Sequence, residues 1–206
     1  MSELALPDQP IVGAGLAPAL LRDVYAAMAD LWCSPQDVDM DGARKGAAEV
    51  IAGLNGVDPQ GAGLLARFLE NPVSEEEYVE LFELNPQCSL YLGSHVFAEP
   101  QSCAQAGVSD RNGYMIELLG IYRHLGLSPN GKELPDYLPL VVEFLSLAVD
   151  SADPIREKLI KEYILPYLPP LRTKLAELKT PYVHLLDALE RVLKLDVASE
   201  ERVSHV

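Results

Sequence analysis

The stretch Glu133–Ala148, "ELPDYLPLVVEFLSLA", is the most apolar segment of the chain, yet it carries three acids. If Asp136 is the N-cap of a helix, Pro139 falls in the first turn, where a proline removes no intrahelical hydrogen bond. Glu143 then follows two turns later, on the same stripe as Asp136. The other faces are apolar enough to be buried. The stretch therefore predicts a core helix with an acidic stripe.

That stripe has three interpretations. Helix capping explains Asp136 and Pro139 from structure alone, but it explains Glu143 least well. A functional acidic patch that docks a cationic peptide is an equally good interpretation. A carboxylate-pair enzyme is a poor third, because no substrate-binding signature accompanies the acids. The residues alone leave capping with a solvated stripe and a functional patch open.

Helical spacing of apolar residues recurs along the chain, and no segment shows a persuasive strand pattern. The sequence predicts an all-α fold, a single compact bundle of about eight to ten helices. Ser74 and Glu77 have the spacing of a capping box, which marks one helix start. Other predicted helices are Leu16–Trp32, Ala43–Leu54, Pro59–Glu70 and Pro181–Leu195.

One domain is expected for 206 residues, spanning 1–206 with 1–14 and 197–206 as flexible tails. Helix exchange between protomers would make a homodimer, and the sequence does not decide that. The predicted core consists of Leu81, Phe82, Leu118, Leu119, Tyr122, Leu145, Leu185 and Leu189.

Charge excludes several classes of partner. The net charge is -15, with 31 acids against 16 lysines and arginines, so we expect no binding to nucleic acid. A cationic partner is favoured instead. We expect no stable membrane insertion and no signal peptide, because acids interrupt the apolar stretch and the first ten residues lack a basic region. Three cysteines without close pairing suggest reduced thiols in the cytoplasm.

The segment Asp37–Gly42, "DVDMDG", imitates the start of a calcium-binding loop. Its twelfth position, where a bidentate glutamate is needed, falls on Ala48. No Cys/His cluster has zinc spacing and no glycine-rich phosphate loop is present. We therefore expect an acidic loop between helices, no metal and no cofactor.

Three blocks in order, "YVELFELNPQCSLYLGSHVF", "SDRNGYMIELLGIYRHLGL" and "ELPDYLPLVVEFLSL", resemble the TorD/DmsD/NarJ family of redox-enzyme maturation chaperones. The nearest branch resembled is the nitrate reductase delta-subunit type, which assists molybdenum-cofactor assembly. The resemblance covers roughly residues 75–149. Here Tyr137 stands where the family usually has a histidine, and the family's Arg-Gly pair becomes Arg111-Asn112-Gly113.

The resemblance implies a cytoplasmic helical chaperone without catalytic activity. Such proteins bind the N-terminal region, often a twin-arginine leader, of a molybdoenzyme catalytic subunit and hold it until cofactor is inserted. Nitrate reductase, or a related dimethylsulfide, ethylbenzene or chlorate enzyme, is the implied client. The alternative is a helical adaptor for another peptide. The residues expected to bind the client peptide are Tyr78, Leu81, Phe82, Glu133, Pro135, Asp136, Tyr137 and Glu143.

Overall fold

The computed structural model describes residues 16–98, 109–150 and 153–203, with side chains described through residue 198. Within these ranges the chain is helical and contains no strand, so the predicted all-α bundle and the predicted range of helix numbers are confirmed. The helices are α1 Pro18–Trp32, α2 Met40–Asn55, α3 Pro59–Glu70, α4 Glu75–Phe82, α5 Asp110–His124, α6 Leu138–Leu147, α7 Pro154–Lys158, α8 Leu168–Glu177 and α9 Tyr182–Val203.

Helix α1 lies at the centre of the bundle. It packs against α6 on one side and α2 on another, and it also contacts α9. Its residues Val24, Tyr25, Met28 and Trp32 are completely buried. Helix α3 packs against α2 and α9, which closes the opposite side of the core.

Most of the predicted core is buried, including Phe82, Leu118, Tyr122, Leu145, Leu185 and Leu189. Two residues of that prediction are wrong, because Leu81 and Leu119 are only half-buried. Leu81 is followed by the buried Phe82, and Leu119 is preceded by the buried Leu118. Since only one face of each helix points into the core, the neighbouring leucine points to its edge. In α4 the inward positions are taken by Tyr78 and Phe82, so Leu81 is turned toward the edge.

Local signals set several helix starts. Helix α4 begins with the predicted capping box, in which Ser74 and Glu77 each bond the other's backbone N–H. Helix α2 is capped by Asp39, whose carboxylate accepts the N–H of Asp41. The acids of the 37–42 segment therefore include a helix cap.

The predicted start of α6 is wrong by one residue. Tyr137, not Asp136, is the N-cap, and its side chain makes no capping bond. The Asp136 side chain points inward instead and is fully buried, whereas Glu143 is exposed. The two acids therefore do not share a stripe.

The last helix extends past its predicted end at Leu195 and reaches Val203. Leu195 and Val197 are buried, so the apolar face continues beyond the expected boundary. The remainder of the two predicted tails lies outside the described residues, as does Cys103.

Two buried ion pairs attach α9 to distant parts of the bundle. Arg191 makes a bidentate contact with Asp58, with both N–O distances at 2.7 Å. Arg156 pairs with Asp196 through distances of 2.9 and 2.6 Å, and the hydroxyl of Tyr25 donates to the same carboxylate at 2.7 Å. Each charge in these two pairs thus has an opposite charge within hydrogen-bonding distance.

The proline-rich link between α7 and α8 stays helical in a modified form. A π-helical turn, Leu159–Ile164, and a short 3-10 turn, Leu165–Tyr167, join the two helices. Pro166 lacks the N–H that an α-helix needs, and the wider turn before it accommodates this loss. Among the described helices, none is long and apolar enough to cross a lipid bilayer.

Candidate functional site

Asp136 organises the junction between α6 and a preceding 3-10 turn, Leu92–His95. Its carboxylate accepts the N–H of Gly93 at 3.0 Å, and Arg111 of α5 lies 3.9 Å away. Backbone pairing reinforces the junction: Leu92 donates to the carbonyl of Asp136, and Leu138 donates to the carbonyl of Leu90. A glycine is needed at position 93 because a β-carbon there would lie 2.9 Å from the Asp136 carboxylate.

The environment of Asp136 is costly for its charge. Burial raises the pKa of its carboxyl group, while the Gly93 N–H and the Arg111 guanidinium oppose that rise. Oxygen Oδ1 finds no hydrogen-bond partner among the described residues. Neighbouring Pro135 is also buried, and its carbonyl accepts the hydroxyl of Tyr122 at 2.7 Å. These two residues therefore fix the backbone that leads into α6, residues 133–137, which we call the corner.

Tyr137 lies at the surface side of the same corner and is half-buried. Its ring packs against Tyr91 at 5.3 Å between centroids. The hydroxyl of Tyr91 donates to Glu133 at 2.5 Å, which orients that exposed carboxylate beside the two rings. Burial raises the pKa of Tyr137 to about 12, with Glu133 and Glu83 contributing, so its phenol is neutral near pH 7. The result is a pair of aromatic rings flanked by an acid, which we call the aromatic corner: Tyr91, Glu133 and Tyr137.

Tyr78 and Phe82 lie beneath this corner, not on its surface. Both are buried, and their rings pack edge-to-face at 5.0 Å. The hydroxyl of Tyr78 donates to the carbonyl of Trp32 at 2.9 Å, which ties α4 to the end of α1. A client peptide cannot contact these two side chains without opening the core.

Helix α6 presents one stripe outward: Leu140, Glu143 and Leu147, at i, i+3 and i+7. Leu147 is 64% exposed, so a large part of its apolar side chain is in contact with solvent. The stripe borders a cavity of about 220 Å³, whose lining also includes Tyr122, Leu127, Pro129 and Phe144. Glu143 is the only charged residue of α6, and it lies at the edge of this apolar cavity.

Cys33 follows the end of α1 and is half-buried. Burial raises the pKa of its thiol to about 12, and the nearby carboxylates of Asp30 and Glu143 add to the effect. Tyr137 is the N-cap of α6 and lies about one turn before Leu140, so the aromatic corner and the α6 stripe are parts of one surface. We call it the α6 surface: Tyr91, Glu133, Tyr137, Leu140, Glu143 and Leu147.

Leu81 lies elsewhere. It lines a separate cavity of about 250 Å³ with Glu77, Glu80 and Lys179, between α4 and the start of α9. The structure thus brings three of the predicted binding residues, Glu133, Tyr137 and Glu143, to one accessible surface. It places Tyr78, Phe82, Pro135 and Asp136 behind that surface, and Leu81 apart from it.

Sequence reasoning missed three members of the α6 surface, Tyr91, Leu140 and Leu147. A backbone pairing brings Tyr91 to Tyr137, 46 positions later in the chain, and no local pattern reveals such a distant contact. Leu140 and Leu147 are two of many apolar residues in a helix predicted to belong to the core, and the sequence pattern assigned neither of them a separate role. The charged Glu143 one turn earlier was the available signal, since it marks the outward face on which Leu147 also lies.

The described part of the chain is an all-helical bundle with an apolar, acid-edged surface. Residues 60–188 match the family model described as nitrate reductase delta subunit. The chain belongs to this family.

Curated relatives carry matching names. The chain is 33% identical over 132 residues to the probable nitrate reductase molybdenum cofactor assembly chaperone NarW of Escherichia coli, covering 64% of this chain and 52% of the relative. It is 30% identical over 159 residues to the Escherichia coli chaperone NarJ, covering 74% and 62%. A probable NarJ chaperone of Bacillus subtilis is 28% identical over 120 residues, covering 58% of each chain. The chain thus spans little more than half the length of these relatives.

Proposed function

We propose that this protein is a cytoplasmic maturation chaperone for a nitrate reductase or a related molybdoenzyme. It binds the N-terminal segment of the catalytic subunit and keeps that subunit competent until the molybdenum cofactor is inserted. Family membership and the names of the relatives support an assembly chaperone over an enzyme. The proposed site is the α6 surface.

The observation that carries the proposal is the outward stripe of α6. Leu140 and Leu147 flank Glu143 at the edge of an apolar cavity, which complements a segment with both basic and apolar residues. The ring pair Tyr91 and Tyr137 beside Glu133 complements an arginine or lysine, since a cation is attracted to aromatic faces and to the carboxylate. Tyr137 replaces an imidazole in the family pattern, so this contact does not require a histidine.

Buried members of the predicted site have a different role in this proposal. Asp136 and Pro135 fix the backbone corner from which Tyr137 and Glu133 project. Tyr78 and Phe82 support the same corner from the core. Substituting them is expected to change client binding through the shape of the surface.

The first test is a titration with a labelled peptide that carries two arginines followed by an apolar run of about ten residues, the layout of an export leader. Glu143→Gln and Glu133→Gln should each weaken binding by about two- to fivefold, the range for one exposed ion pair. Glu49→Gln, an exposed acid on α2, is the matched control and should bind normally.

The second test is made with the client. Each variant is produced beside a nitrate reductase catalytic subunit, and the molybdenum content of that subunit is measured. A triple variant, Glu133→Gln, Glu143→Gln and Leu147→Ser, should leave the client poor in molybdenum. Normal molybdenum with a correctly folded triple variant would show that the α6 surface is not the client site.

A further inference from the structure

The segment that follows α4 starts and ends at the aromatic corner. Helix α4 ends at Phe82, which lies beneath that corner through its packing on Tyr78. On the return side, the carbonyl of Leu90 accepts the N–H of Leu138, the first residue of α6, at 2.9 Å. Residues 83–87, which we call the α4 loop, therefore project from the aromatic corner.

The backbone of the α4 loop is held by hydrogen bonds to α4. The N–H of Leu84 donates to the carbonyl of Val79 at 2.9 Å, and the N–H of Cys88 donates to the carbonyl of Leu81 at 3.0 Å. Asn85 adopts a φ of 53°, in the left-handed region that asparagine tolerates better than most residues. These contacts give Leu84 one defined position beside the aromatic corner.

Leu84 is an apolar side chain that the bundle does not use. It is 74% exposed and is not part of the hydrophobic core. The part of the chain that the structure describes has five exposed large apolar side chains. Three of them, Leu84, Leu134 and Leu147, border the aromatic corner or lie on α6. Exposed apolar side chains that gather in one region mark an interaction surface.

The α4 loop also brings an acid to the aromatic corner. Glu83 precedes Leu84 and is exposed. Its carboxylate and that of Glu133 both contribute to the raised pKa of Tyr137, so both lie within electrostatic reach of the same phenol. A basic group of a bound peptide is therefore favoured beside Tyr137, next to the apolar side chain of Leu84.

We infer that the α4 loop extends the α6 surface, and that Leu84 binds an apolar residue of the client directly before the client's basic residues. This inference rests on the proposed function. Helix α6 carries Leu147 about 15 Å away from Tyr137, at a rise of about 1.5 Å per residue. The apolar run after the basic residues lies along α6, so the residue before them falls on the α4 loop.

Two versions of the leader peptide test this contact, one with leucine and one with serine directly before the two arginines. Wild type should bind the leucine peptide about three- to tenfold more tightly than the serine peptide, the effect of partly burying one leucine. Leu84→Ser should lose this preference, because the apolar partner is gone. Leu84→Met should keep the preference, because methionine is apolar and similar in volume.

The matched control is Ile116→Ser on α5. Ile116 is 59% exposed and lies outside both the α4 loop and the α6 surface, so this variant should retain the wild-type preference. Glu83→Gln should weaken both peptides equally, by about two- to fivefold, because the carboxylate interacts with their arginines. Thermal melts of Leu84→Ser should match those of wild type, since the side chain is exposed.

The results distinguish this inference from the proposed function. Equal binding of the two peptides by wild type, or a wild-type preference retained by Leu84→Ser, would overturn the inference. The proposed function would stand in both cases if Glu143→Gln weakens the binding of both peptides. Failure of wild type to bind either peptide would overturn the proposed function and this inference together.

A second measurement uses the full client. A photoreactive phenylalanine analogue is placed at position 84, 147 or 116, and each protein is produced beside the catalytic subunit of a nitrate reductase. Illumination should crosslink positions 84 and 147, but not 116, to the N-terminal segment of that subunit. Crosslinks from position 147 without any from position 84 would overturn the inference alone.

Discussion

Asp136 shows how a single buried carboxylate can set the geometry of a surface it does not reach. It accepts the N–H of Gly93 and lies near Arg111. It therefore links the start of α6 to α5 and to the 3-10 turn Leu92–His95. Burial nevertheless raises its pKa above the usual 3.8. The native protein therefore favours the protonated form of Asp136 more than the unfolded chain does.

A pH-dependent stability difference follows from that raised pKa. The contribution of Asp136 to stability is fully present below its unfolded pKa and is lost as pH rises through its higher folded pKa. Asp136→Asn keeps an acceptor for Gly93 and cannot ionise. Its free energy of unfolding should therefore rise relative to wild type as pH increases above the unfolded pKa of about 4.

Urea unfolding of both proteins at several pH values measures this difference. Glu143→Gln is the control, because that side chain is exposed and its replacement should follow wild type across the same range. A gap between Asp136→Asn and wild type that is constant with pH, or that shrinks as pH rises, would contradict the prediction.

At this scale the sequence was informative only where the partner of a residue is close in the chain. Ser74 and Glu77 were correctly predicted as a capping box because both partners are three residues apart. Asp136 had an equally good local pattern for a cap, but its acceptor role depends on Gly93, 43 residues earlier. The local pattern could not reveal that distant donor.

Among the elements, α4 depends most visibly on its cap. It is a short helix, Glu75–Phe82, with three acids in its first turn and the reciprocal bonds of Ser74 and Glu77. Ser74→Ala leaves the N–H of Glu77 without its acceptor and should lower the free energy of unfolding by about 1 kcal/mol. Ser74→Asp should retain most of the stability, because aspartate caps as well as serine.

Denaturant unfolding of the two variants measures this effect. Equal losses for Ser74→Ala and Ser74→Asp would show that the cap bond is not the stabilising contact. Because Tyr78 and Phe82 of α4 support the aromatic corner, Ser74→Ala should also increase local opening of that corner, measured by hydrogen exchange at the amide of Tyr78.

Helix α6 was predicted as an element, and its inward face was predicted as core, because its apolar residues are numerous and regularly spaced. Its outward stripe was misassigned, since the tertiary contacts that bury Asp136 and leave Leu147 exposed come from other helices.

Leu147→Ser tests this stripe. It removes exposed apolar surface and should change the melting temperature little, yet weaken leader-peptide binding.

Across the whole molecule, a net charge of -15 favours encounter with a basic peptide from any direction. The association rate of the arginine leader peptide should therefore fall steeply between low and physiological salt, while the dissociation rate changes less. Stopped-flow mixing at several salt concentrations measures both rates. An association rate independent of salt would show that charge does not steer the encounter.

The two buried ion pairs should be sensitive to loss of one partner. Arg191→Met leaves Asp58 buried without its cation and should destabilise the protein by about 3–5 kcal/mol. Arg191→Met combined with Asp58→Asn should recover part of that loss, because no uncompensated charge remains. Thermal or urea unfolding measures both variants. A double variant no more stable than the single one would contradict this account.

Those same ion pairs have a consequence for biosynthesis. Tyr25 and Asp196 are 171 positions apart, and Arg191 and Asp58 are 133 apart, so the core joins α1 and α3, early in the described chain, to α9. A ribosome that has made only α1 to α8 carries a chain whose Asp58 and Tyr25 have not yet met their partners. The described bundle is therefore completed only after α9 has been translated, and until then the nascent chain presents the apolar faces of α1 and α3 to the cell's general folding machinery.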